Sequence, residues 1–326
     1  GGIIPAGTEA GQERNILLTV KEPIGVVACV IPFNFPCDLF DQKVAPTLLA
    51  GNAAIVKPST DNPLTLCKLT AFLAEAGVTP GAIEIVTGRG SKVGNWLCKN
   101  PDVHAITLTG STEVGIETYR HAADHLARVA LELGGNDAFI VAGDGDVDLA
   151  VEELIWGRMY NCGQVCCASK RFLVHNSLKD EFAAKAVERI KKIKVGNPDK
   201  EDTELACLIS EKAARTIEEQ VRLTVEQGGE ILLGGHRNGA FYEPTVIADV
   251  PKTADVAKDM EIFGPVVPII GFDSIEEAVE IANQSKFGLC GCIFSADMKT
   301  CFDVASRLEC GGVVLNGASF FRSFEM

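Results

Sequence analysis

The sequence of 326 residues contains no uninterrupted apolar run of 18 residues, so we expect no membrane-spanning helix. Positive charge is also scarce, because 30 lysines and arginines stand against 44 aspartates and glutamates, for a formal net charge of −14. An acidic surface argues against general binding to nucleic acid or to anionic membranes.

The spacing typical of metal sites is absent as well. No two cysteines stand in a CxxC pair, and the five histidines do not cluster near the cysteines. Structural zinc is therefore not expected. The twelve cysteines are spread along the chain, many inside apolar runs such as VVACVI and GLCGCIF. This pattern is typical of reduced, buried cysteines in a cytoplasmic protein.

The chain begins GGIIPAGTEA, without an initiator methionine or the charged and apolar regions of a secretory leader. It ends abruptly at FRSFEM. We expect it to be a fragment of a longer protein. No internal repeat and no low-complexity segment interrupts it.

Short β-branched runs alternate with amphipathic segments rich in alanine and leucine. GVVACVIP, AAIVKP, AIEIVTG, HAITLTG and ARVALELGG have the character of strands, and helical segments separate them. The rhythm restarts after LGGND. This alternation predicts an α/β fold with two parallel-sheet domains, 24–133 and 134–326, after an extended segment at 1–23.

Ligands of open parallel sheets bind at the carboxyl ends of the strands, where several glycine-rich turns fall. TGRGSKVG carries Gly90 and Gly94 at a strand-to-helix turn, but lacks the GxGxxG spacing. TGSTEVG carries Gly110 and Ser111 at a helix start that favours an anion. Taken singly, each is also compatible with an ordinary turn and a capping serine.

Six motifs in order make the chain resemble the aldehyde dehydrogenase superfamily: IPFNFP, VKPS, TGSTEVG, LELGG, NCGQVC and EIFGPV. The resemblance runs from about residue 10 to the end. It implies a bridging and oligomerisation strand element at 1–23, a Rossmann-like NAD(P)-binding domain at 24–133 and a catalytic domain at 134–326. It further implies oxidation of an aldehyde to a carboxylate with NADP or NAD, by a homodimer or homotetramer when full length.

The resemblance selects one sulfur from NCGQVCCASK. The family's catalytic cysteine stands two residues after the glutamine, which is Cys166 here, whereas Cys162 and Cys167 are expected to pack in the core. The family's oxyanion donor falls on Asn34, and its base for thioester hydrolysis falls on Glu132. A glutamate at an apolar strand end is expected to have a raised pKa.

Cofactor roles carry over in the same way. Lys57 matches the residue that holds the adenosine ribose, Glu261 the residue that binds the nicotinamide ribose, and Phe263 a residue that packs at the nicotinamide. The full set of implied cofactor positions is Ile31, Pro32, Phe33, Lys57, Ser59, Thr60, Gly90, Gly94, Gly110, Ser111, Val114, Glu132, Leu133, Gly134, Glu261 and Phe263.

One departure from the family pattern concerns the choice of cofactor. Members that prefer NAD often carry a glutamate three residues after the lysine, and Thr60 stands there in this chain. No acidic side chain at that position opposes a 2′-phosphate. We therefore expect NADP to be usable.

The substrate is narrowed mainly by exclusion. Tyr160 and Val165 occupy positions where members acting on succinate semialdehyde or glyceraldehyde-3-phosphate carry arginine, which argues against those two substrates. Arg322 is expected to bind a polar or anionic end of the aldehyde, or else to be a surface arginine. Tyr160, Leu39 and Phe40 are expected to form an apolar wall, and Lys43 is expected to be an exposed helix lysine or else to assist proton movement.

Two alternatives stay open. An acylating relative would pass the thioester to coenzyme A, although Glu132 favours hydrolysis. A non-catalytic, binding member of the family would lack the nucleophile or the base, and Cys166 and Glu132 are both present.

Overall fold

The computed structural model describes residues 2–4, 10–12 and 15–319. Its contacts divide the chain into two compact units, Gly1–Glu132 and Leu133–Met326. The two units are described one after the other.

The first unit contains a sheet of five parallel strands with four helices between them. The strands are β3 (Val26–Val30), β4 (Ala53–Lys57), β5 (Ile83–Ile85), β6 (Ala105–Thr109) and β7 (Arg128–Glu132). The helices are α1 (Pro36–Leu49), α2 (Pro63–Glu75), α3 (Asn95–Lys99) and α4 (Thr112–Ala123). Proline at the first position of α1 and α2, and Ser111 as N-cap of α4, mark where these helices begin.

The strand order β5-β4-β3-β6-β7 reverses between β3 and β6. This is the doubly wound arrangement, in which a ligand binds at the carboxyl ends of the strands beside the reversal. The apolar core packs under β3 and β4, around Cys29, Val56 and Leu66. The turns that follow β3 and β6 are therefore the first places to look for a site.

A short antiparallel pair precedes this sheet. It joins β1 (Gly2–Ile4) to β2 (Leu17–Thr19), with Ile3 opposite Leu18. Ile16, Leu18 and Val20 are between 64% and 81% exposed on alternate positions of the second strand and its flanks. One side of this segment is consequently apolar and uncovered.

The second unit contains a sheet of seven strands in the order β10-β13-β14-β9-β8-β15-β16. The strands are β8 (Asp137–Val141), β9 (Ser169–His175), β10 (Glu230–Leu233), β13 (Thr245–Ala248), β14 (Val266–Phe272), β15 (Cys290–Phe294) and β16 (Gly312–Leu315). The helices are α5 (Val147–Leu154), α6 (Lys179–Ile190), α7 (Glu211–Glu226), α8 (Ile275–Asn283) and α9 (Met298–Arg307). Side chains of Asp146, Ser210, Ser274 and Asp297 cap four of these helices.

The central strands of this sheet are buried on both faces. Phe139 of β8 packs against Phe172 of β9, with ring centroids 4.9 Å apart, and against Phe294 of β15 at 4.6 Å. Such continuous apolar strands are typical of a parallel sheet covered by helices on both sides. The sheet is thus a rigid base for the residues that precede β8 and β9.

The predicted α/β class is confirmed, but the second sheet is not purely parallel. β10 runs antiparallel to β13 at one edge. A small hairpin of β11 (Arg237–Asn238) and β12 (Phe241–Tyr242) also lies between them in sequence. The alternation of apolar runs in the sequence predicts neither the antiparallel strand nor the hairpin, because short and partly exposed edge strands lack the apolar signature of buried ones.

Candidate functional site

The segment from Tyr160 to Gly163 forms a strained loop between α5 and β9. Asn161, Cys162 and Gly163 adopt positive φ angles of 49°, 56° and 73°. At Gly163 a side chain would collide with the carbonyl oxygen of Gly264. Gln164 holds the loop: its amide nitrogen donates to the Asn161 carbonyl at 3.1 Å, and its amide oxygen accepts from the Ile209 backbone at 2.9 Å. The glycine and glutamine of the motif therefore shape the backbone that leads to Cys166.

The three cysteines of this segment have different surroundings. Cys162 and Cys167 are buried, whereas Cys166 is half-buried. Burial raises the pKa of the Cys162 thiol to about 11. A buried neutral thiol is inert, because the thiolate is the nucleophilic form. Of the three sulfurs, that of Cys166 belongs to the most accessible residue.

Two glycines that precede β8 form a platform, which we define as Gly134 and Gly135. A Cβ on Gly134 would lie 2.5 Å from Glu261 Oε2, and one on Gly135 would lie 2.6 Å from the Cys166 carbonyl oxygen. The Gly135 N–H also donates to Glu261 Oε1 at 3.4 Å. The end of LELGG thus brings Cys166 and Glu261 onto one stretch of bare backbone.

Lys170 joins this site, and the sequence analysis did not single it out. Its side chain is 1% exposed and forms an ion pair with Glu261, with Nζ 3.2 Å from Oε1. Nζ also donates to the Cys166 carbonyl at 2.6 Å and lies 5.9 Å from the centre of the Phe263 ring. The available signal was the pair Lys170 and Arg171 at the start of an otherwise apolar strand, since buried charges require partners.

Arg171 points to the opposite side of the same strand, as adjacent strand residues do. Its guanidinium donates to four carbonyl oxygens at 2.7 to 3.1 Å: those of Asn136, Ala257, Ile281 and Ala282. Desolvation lowers its pKa to about 10. The contacts tie β9 to the residues just before β8 and to α8.

Asp137 is a buried carboxylic acid two residues after the platform. Desolvation raises its pKa to about 7, against the opposing effect of the Lys170 charge. Oδ1 accepts from the Cys290 backbone at 3.2 Å, and Oδ2 has no hydrogen-bond partner within the part of the chain that the structure describes. Asp137 and Arg171 both line a small cavity together with Asn136, Cys290 and Cys310.

Arg158 braces the loop that carries Glu261 and Phe263. It is completely buried, Nε donates to the Val266 carbonyl at 2.6 Å, and Nη2 donates to the Ile262 carbonyl at 2.8 Å. One planar guanidinium therefore holds both ends of the segment 262–266. Desolvation lowers the pKa of Arg158 to about 9.

In the first unit, the turn after β4 carries the predicted adenosine-side residues. Lys57 is only 3% exposed, and its ammonium donates to the Pro58 carbonyl at 2.7 Å. Burial lowers its pKa, and the charge of Asp61 opposes that shift. Ser59 is half-buried and Thr60 is exposed, and the Thr60 hydroxyl donates to the Gly88 carbonyl at 3.3 Å. This bond connects the turn after β4 to the glycine-rich turn that contains Gly90 and Gly94.

The ends of β3 and β6 lie beside the strand-order reversal. Ile31 is buried and its N–H donates to the Lys57 carbonyl at 3.0 Å. Pro32, Phe33 and Asn34 follow half-buried, and Asn62 donates to the Phe33 carbonyl at 2.8 Å. The turn that carries Asn34 is therefore anchored at both ends.

At the end of β6, Gly110 is half-buried and Ser111 is exposed. The Ser111 hydroxyl accepts from the N–H of the exposed residue Val114 at 3.4 Å, as an N-cap. This is the simple capping interaction that the sequence left open. Binding of an anion by the remaining N–H groups of α4 stays a prediction.

Glu132 is the last residue of β7, and its carbonyl accepts from the Gly110 N–H at 3.0 Å. Its side chain is exposed, which differs from the apolar surroundings expected from LELGG. The cause is position: β7 is an edge strand whose residues alternate between exposed and half-buried. Leu133 follows half-buried at the start of the second unit.

The predicted substrate residues have mixed positions. Tyr160 is 43% exposed and stacks on Trp156, with ring centroids 4.9 Å apart. Val165 is buried, so it presents little surface to a substrate. Arg322 lies outside the described residues.

Three residues of α1 lie on its buried face. Leu39 and Phe40 pack in the apolar core of the first unit, and their role as an apolar wall stays a prediction. Lys43 is buried as well, so its expected exposure was wrong. The reason is helical periodicity, because Lys43 follows Leu39 and Phe40 by four and three residues and shares their face.

Neither a metal cluster nor a membrane segment is found within the described ranges. No group of three or more histidine, cysteine, aspartate or glutamate side chains there is placed to hold a metal ion. None of the helices in those ranges combines the length and apolarity needed to cross a membrane.

The fold and the site define a class: a doubly wound α/β unit followed by an α/β unit with a half-buried cysteine beside a glycine platform. The chain belongs to the aldehyde dehydrogenase family, whose model matches residues 4–325. This confirms the family predicted from the six motifs.

Three proteins of named function are similar to this chain. 3-Sulfolactaldehyde dehydrogenase of Priestia megaterium is 39% identical over 98% of this chain and 66% of its own length. D-glyceraldehyde dehydrogenase (NADP+) of Picrophilus torridus is 36% identical over 94% of this chain and 64% of its own. A crystal structure of betaine aldehyde dehydrogenase from Staphylococcus aureus with NAD+ is 37% identical, has a TM-score of 0.89, and is matched over 94% of this chain and 61% of that one. The chain thus spans about two thirds of the length of the relatives it matches.

Proposed function

We propose that the intact protein oxidises a small aldehyde to a carboxylate with NADP or NAD. The observation that carries this proposal is the placement of half-buried Cys166 on the same glycine platform as Glu261. A nucleophile and a carboxylate able to bind sugar hydroxyls then share one site. The relatives named as aldehyde dehydrogenases support the same reaction class.

The reaction begins when the Cys166 thiolate adds to the aldehyde carbon and forms a thiohemiacetal. The Asn34 amide and the Cys166 backbone N–H are the proposed donors to its oxyanion. Loss of one such donor typically costs about 3–4 kcal/mol of transition-state stabilisation. The cofactor, when bound, supplies a nicotinamide ring that accepts the hydride released from that carbon, which leaves a thioester on Cys166.

Hydrolysis completes the cycle. Glu132 accepts a proton from water, the resulting hydroxide attacks the thioester carbon, and the C–S bond breaks to release the carboxylic acid and the Cys166 thiolate. The exposed carboxylate of Glu132 is accessible to water, as this role requires.

The residues present fit an adenine dinucleotide. Glu261 offers a carboxylate held on bare backbone, and Gly134 leaves room that a side chain would fill. Lys57, Ser59 and Thr60 lie together at the carboxyl end of β4, where such ligands bind. We propose that NADP is accepted because Thr60 carries no charge to repel a 2′-phosphate, and exposed Arg89 follows the glycine that Thr60 contacts. Relatives named with NADP+ and with NAD+ make both cofactors reasonable.

The proposed substrate is a short aldehyde with polar or anionic substituents. Sulfolactaldehyde and glyceraldehyde, in the names of two relatives, are both three-carbon 2-hydroxyaldehydes. The positions of Tyr160 and Val165 argue against succinate semialdehyde and glyceraldehyde-3-phosphate, as in the sequence analysis. Arg322 remains the predicted partner of the polar end.

The test is rapid mixing of the intact protein with an aldehyde panel and either NAD or NADP. We expect a burst of reduced cofactor that C166S abolishes and C167S, the matched control, retains. Carboxylate should form without coenzyme A; a product that appears only as an acyl-coenzyme A thioester would replace hydrolysis by acyl transfer. No reduced cofactor with any aldehyde would refute the proposal.

We also propose a cytoplasmic homodimer or homotetramer. The exposed apolar side of Ile16, Leu18 and Val20 supports self-association, because uncovered apolar strands commonly pair with another chain. Buried cysteines such as Cys29 and Cys292 are typical of a reducing compartment.

A further inference from the structure

We propose that Lys170 is a positioning residue that links the backbone of the nucleophile Cys166 to the ribose-binding carboxylate Glu261. The inference rests on the proposed function for the roles of those two residues. It adds a third residue, through which thiol reactivity and cofactor affinity depend on one another.

The ammonium of Lys170 has two acceptors and also lies 5.9 Å from the centre of the Phe263 ring. Its ammonium lies 2.6 Å from the Cys166 carbonyl oxygen and 3.2 Å from Glu261 Oε1. These two acceptors rest on neighbouring glycines, Gly135 and Gly134. The ammonium therefore closes a ring of contacts that runs from Cys166 through the platform to Glu261 and back.

Burial strengthens the interactions in this ring of contacts. Lys170 is 1% exposed and Glu261 is 21% exposed, so water competes weakly for either charge. Removal of one partner of such a pair leaves the other charge poorly solvated. Without Lys170, Glu261 is expected to turn away from the platform, towards solvent or towards other donors.

The same charge acts on the sulfur. The sulfur of a cysteine lies within about 5 Å of its own carbonyl oxygen, so the Lys170 ammonium lies within about 8 Å of Cys166 Sγ. A cation at that distance favours the thiolate.

The charged groups around Lys170 and its partner Glu261 come from several elements. Glu261 comes from the loop before β14, and Asp137 comes from β8, where the Lys170 charge acts on its pKa. The Glu261 charge also acts on Arg158. The Lys170 ammonium is thus placed near two acidic side chains, Glu261 and Asp137.

The experiment compares K170M, K170Q and K170R in the intact protein with K185M as the matched control. Lys185 also forms two ion pairs, with Asp148 and Glu181, but lies on the surface of α6. Two quantities are measured: the pH midpoint of Cys166 alkylation by iodoacetamide without cofactor, followed by peptide mass spectrometry, and the Kd of NADPH from fluorescence.

We expect K170M to raise the alkylation midpoint by about 0.5 to 1 pH unit and to weaken NADPH binding by about tenfold. K170R should restore both quantities, and K185M should leave both unchanged. K170Q, which keeps a polar side chain of similar length, carries the same test if K170M does not fold.

The proposal is overturned if K170M changes only one of the two quantities, or neither of them. It is also overturned if K170R recovers the melting temperature but restores neither the alkylation midpoint nor the Kd of NADPH. Failure of the proposed function would be seen in a different measurement, because the wild-type protein would then oxidise no aldehyde. The alkylation measurement does not depend on that activity.

Discussion

At the scale of single residues, the site is organised by side chains whose protonation depends on burial. Asp137, Arg158, Lys170 and Arg171 are all buried charged or ionisable groups of the second unit. Three of them donate to backbone carbonyls, so each fixes a piece of main chain, and Lys170 also holds the Glu261 side chain. Of these four residues, Asp137 and Arg158 each keep one side-chain atom without a hydrogen-bond partner in the part of the chain that the structure describes.

Asp137 predicts a specific dependence of stability on pH. Its pKa in the folded protein is about 7, raised from 3.8 by desolvation. A raised pKa means that its contribution to stability is present below about pH 4 and is lost as the pH rises through about 7. D137N removes this loss, so it should gain stability relative to wild type between pH 5 and pH 8, by about 2 kcal/mol.

The measurement is the melting temperature of both proteins across that range. D297N serves as the comparison, because hydrogen bonds from Thr300 lower the pKa of the exposed Asp297. Its stabilising effect is lost only at acidic pH, and the gap between D297N and wild type should stay constant from pH 5 to pH 8. A constant gap for D137N would contradict the assignment.

At the scale of elements, Cys166 and Glu261 lie on loops that precede strands, whereas Lys170 and Asp137 lie at the starts of strands. The loop before β9 and the loop before β14 touch at Gly163 and Gly264, and Arg158 braces the second of them. The motifs NCGQVC and EIFGPV fall on these two loops, since their glycines and polar residues have no role inside an element. Their mutual contact could not be predicted, because it joins residues about a hundred positions apart.

Gly163 provides a test of this contact. G163A places a side chain at a φ of 73° and against the Gly264 carbonyl, so we expect a loss of about 2–4 kcal/mol of stability. G291A is the control, because its new Cβ would meet atoms no closer than 3.4 Å. A melting temperature of G163A equal to that of G291A would show that the two loops are not in contact.

The turn after β4 provides a second test. T60E places a carboxylate beside the proposed 2′-phosphate site, and like charges in contact cost several kcal/mol. The ratio of kcat/KM for NADP to that for NAD should fall by about tenfold or more.

T79E adds the same charge in the loop before β5, near the opposite ends of the strands, and should leave the ratio unchanged. If T60E leaves the ratio of kcat/KM for NADP to that for NAD unchanged, Thr60 does not belong to the cofactor site. A wild-type ratio that strongly favours NAD would lead to the same conclusion.

At the scale of the whole molecule, the alternation of strands and helices was enough to predict two α/β units. The family resemblance then supplied the candidate site residues. The sequence did not reveal the antiparallel edge strand β10, the burial of Lys43 or the contacts of Lys170. Each depends on which side of an element is covered, and that is decided by segments distant along the chain.

The apolar side of β2 gives a prediction about assembly. L18D introduces charge into that side, and we expect it to shift the protein towards monomers in sedimentation velocity. T19D carries the same charge on the opposite side of the strand and should sediment like wild type. Equal sedimentation of L18D and wild type would exclude this segment from the subunit interface.

The glycine platform has a consequence for how such an enzyme can diversify. Cys166 and Glu261 are positioned against main-chain atoms of Gly134 and Gly135, whereas Tyr160 extends outward from a neighbouring loop. Under the proposed function, substitutions that change the substrate preference then leave the residues of the chemical step in place. Substitutions at Tyr160 can be screened for new aldehydes at little risk to the chemical step, and laboratory evolution of this chain should leave the two glycines untouched.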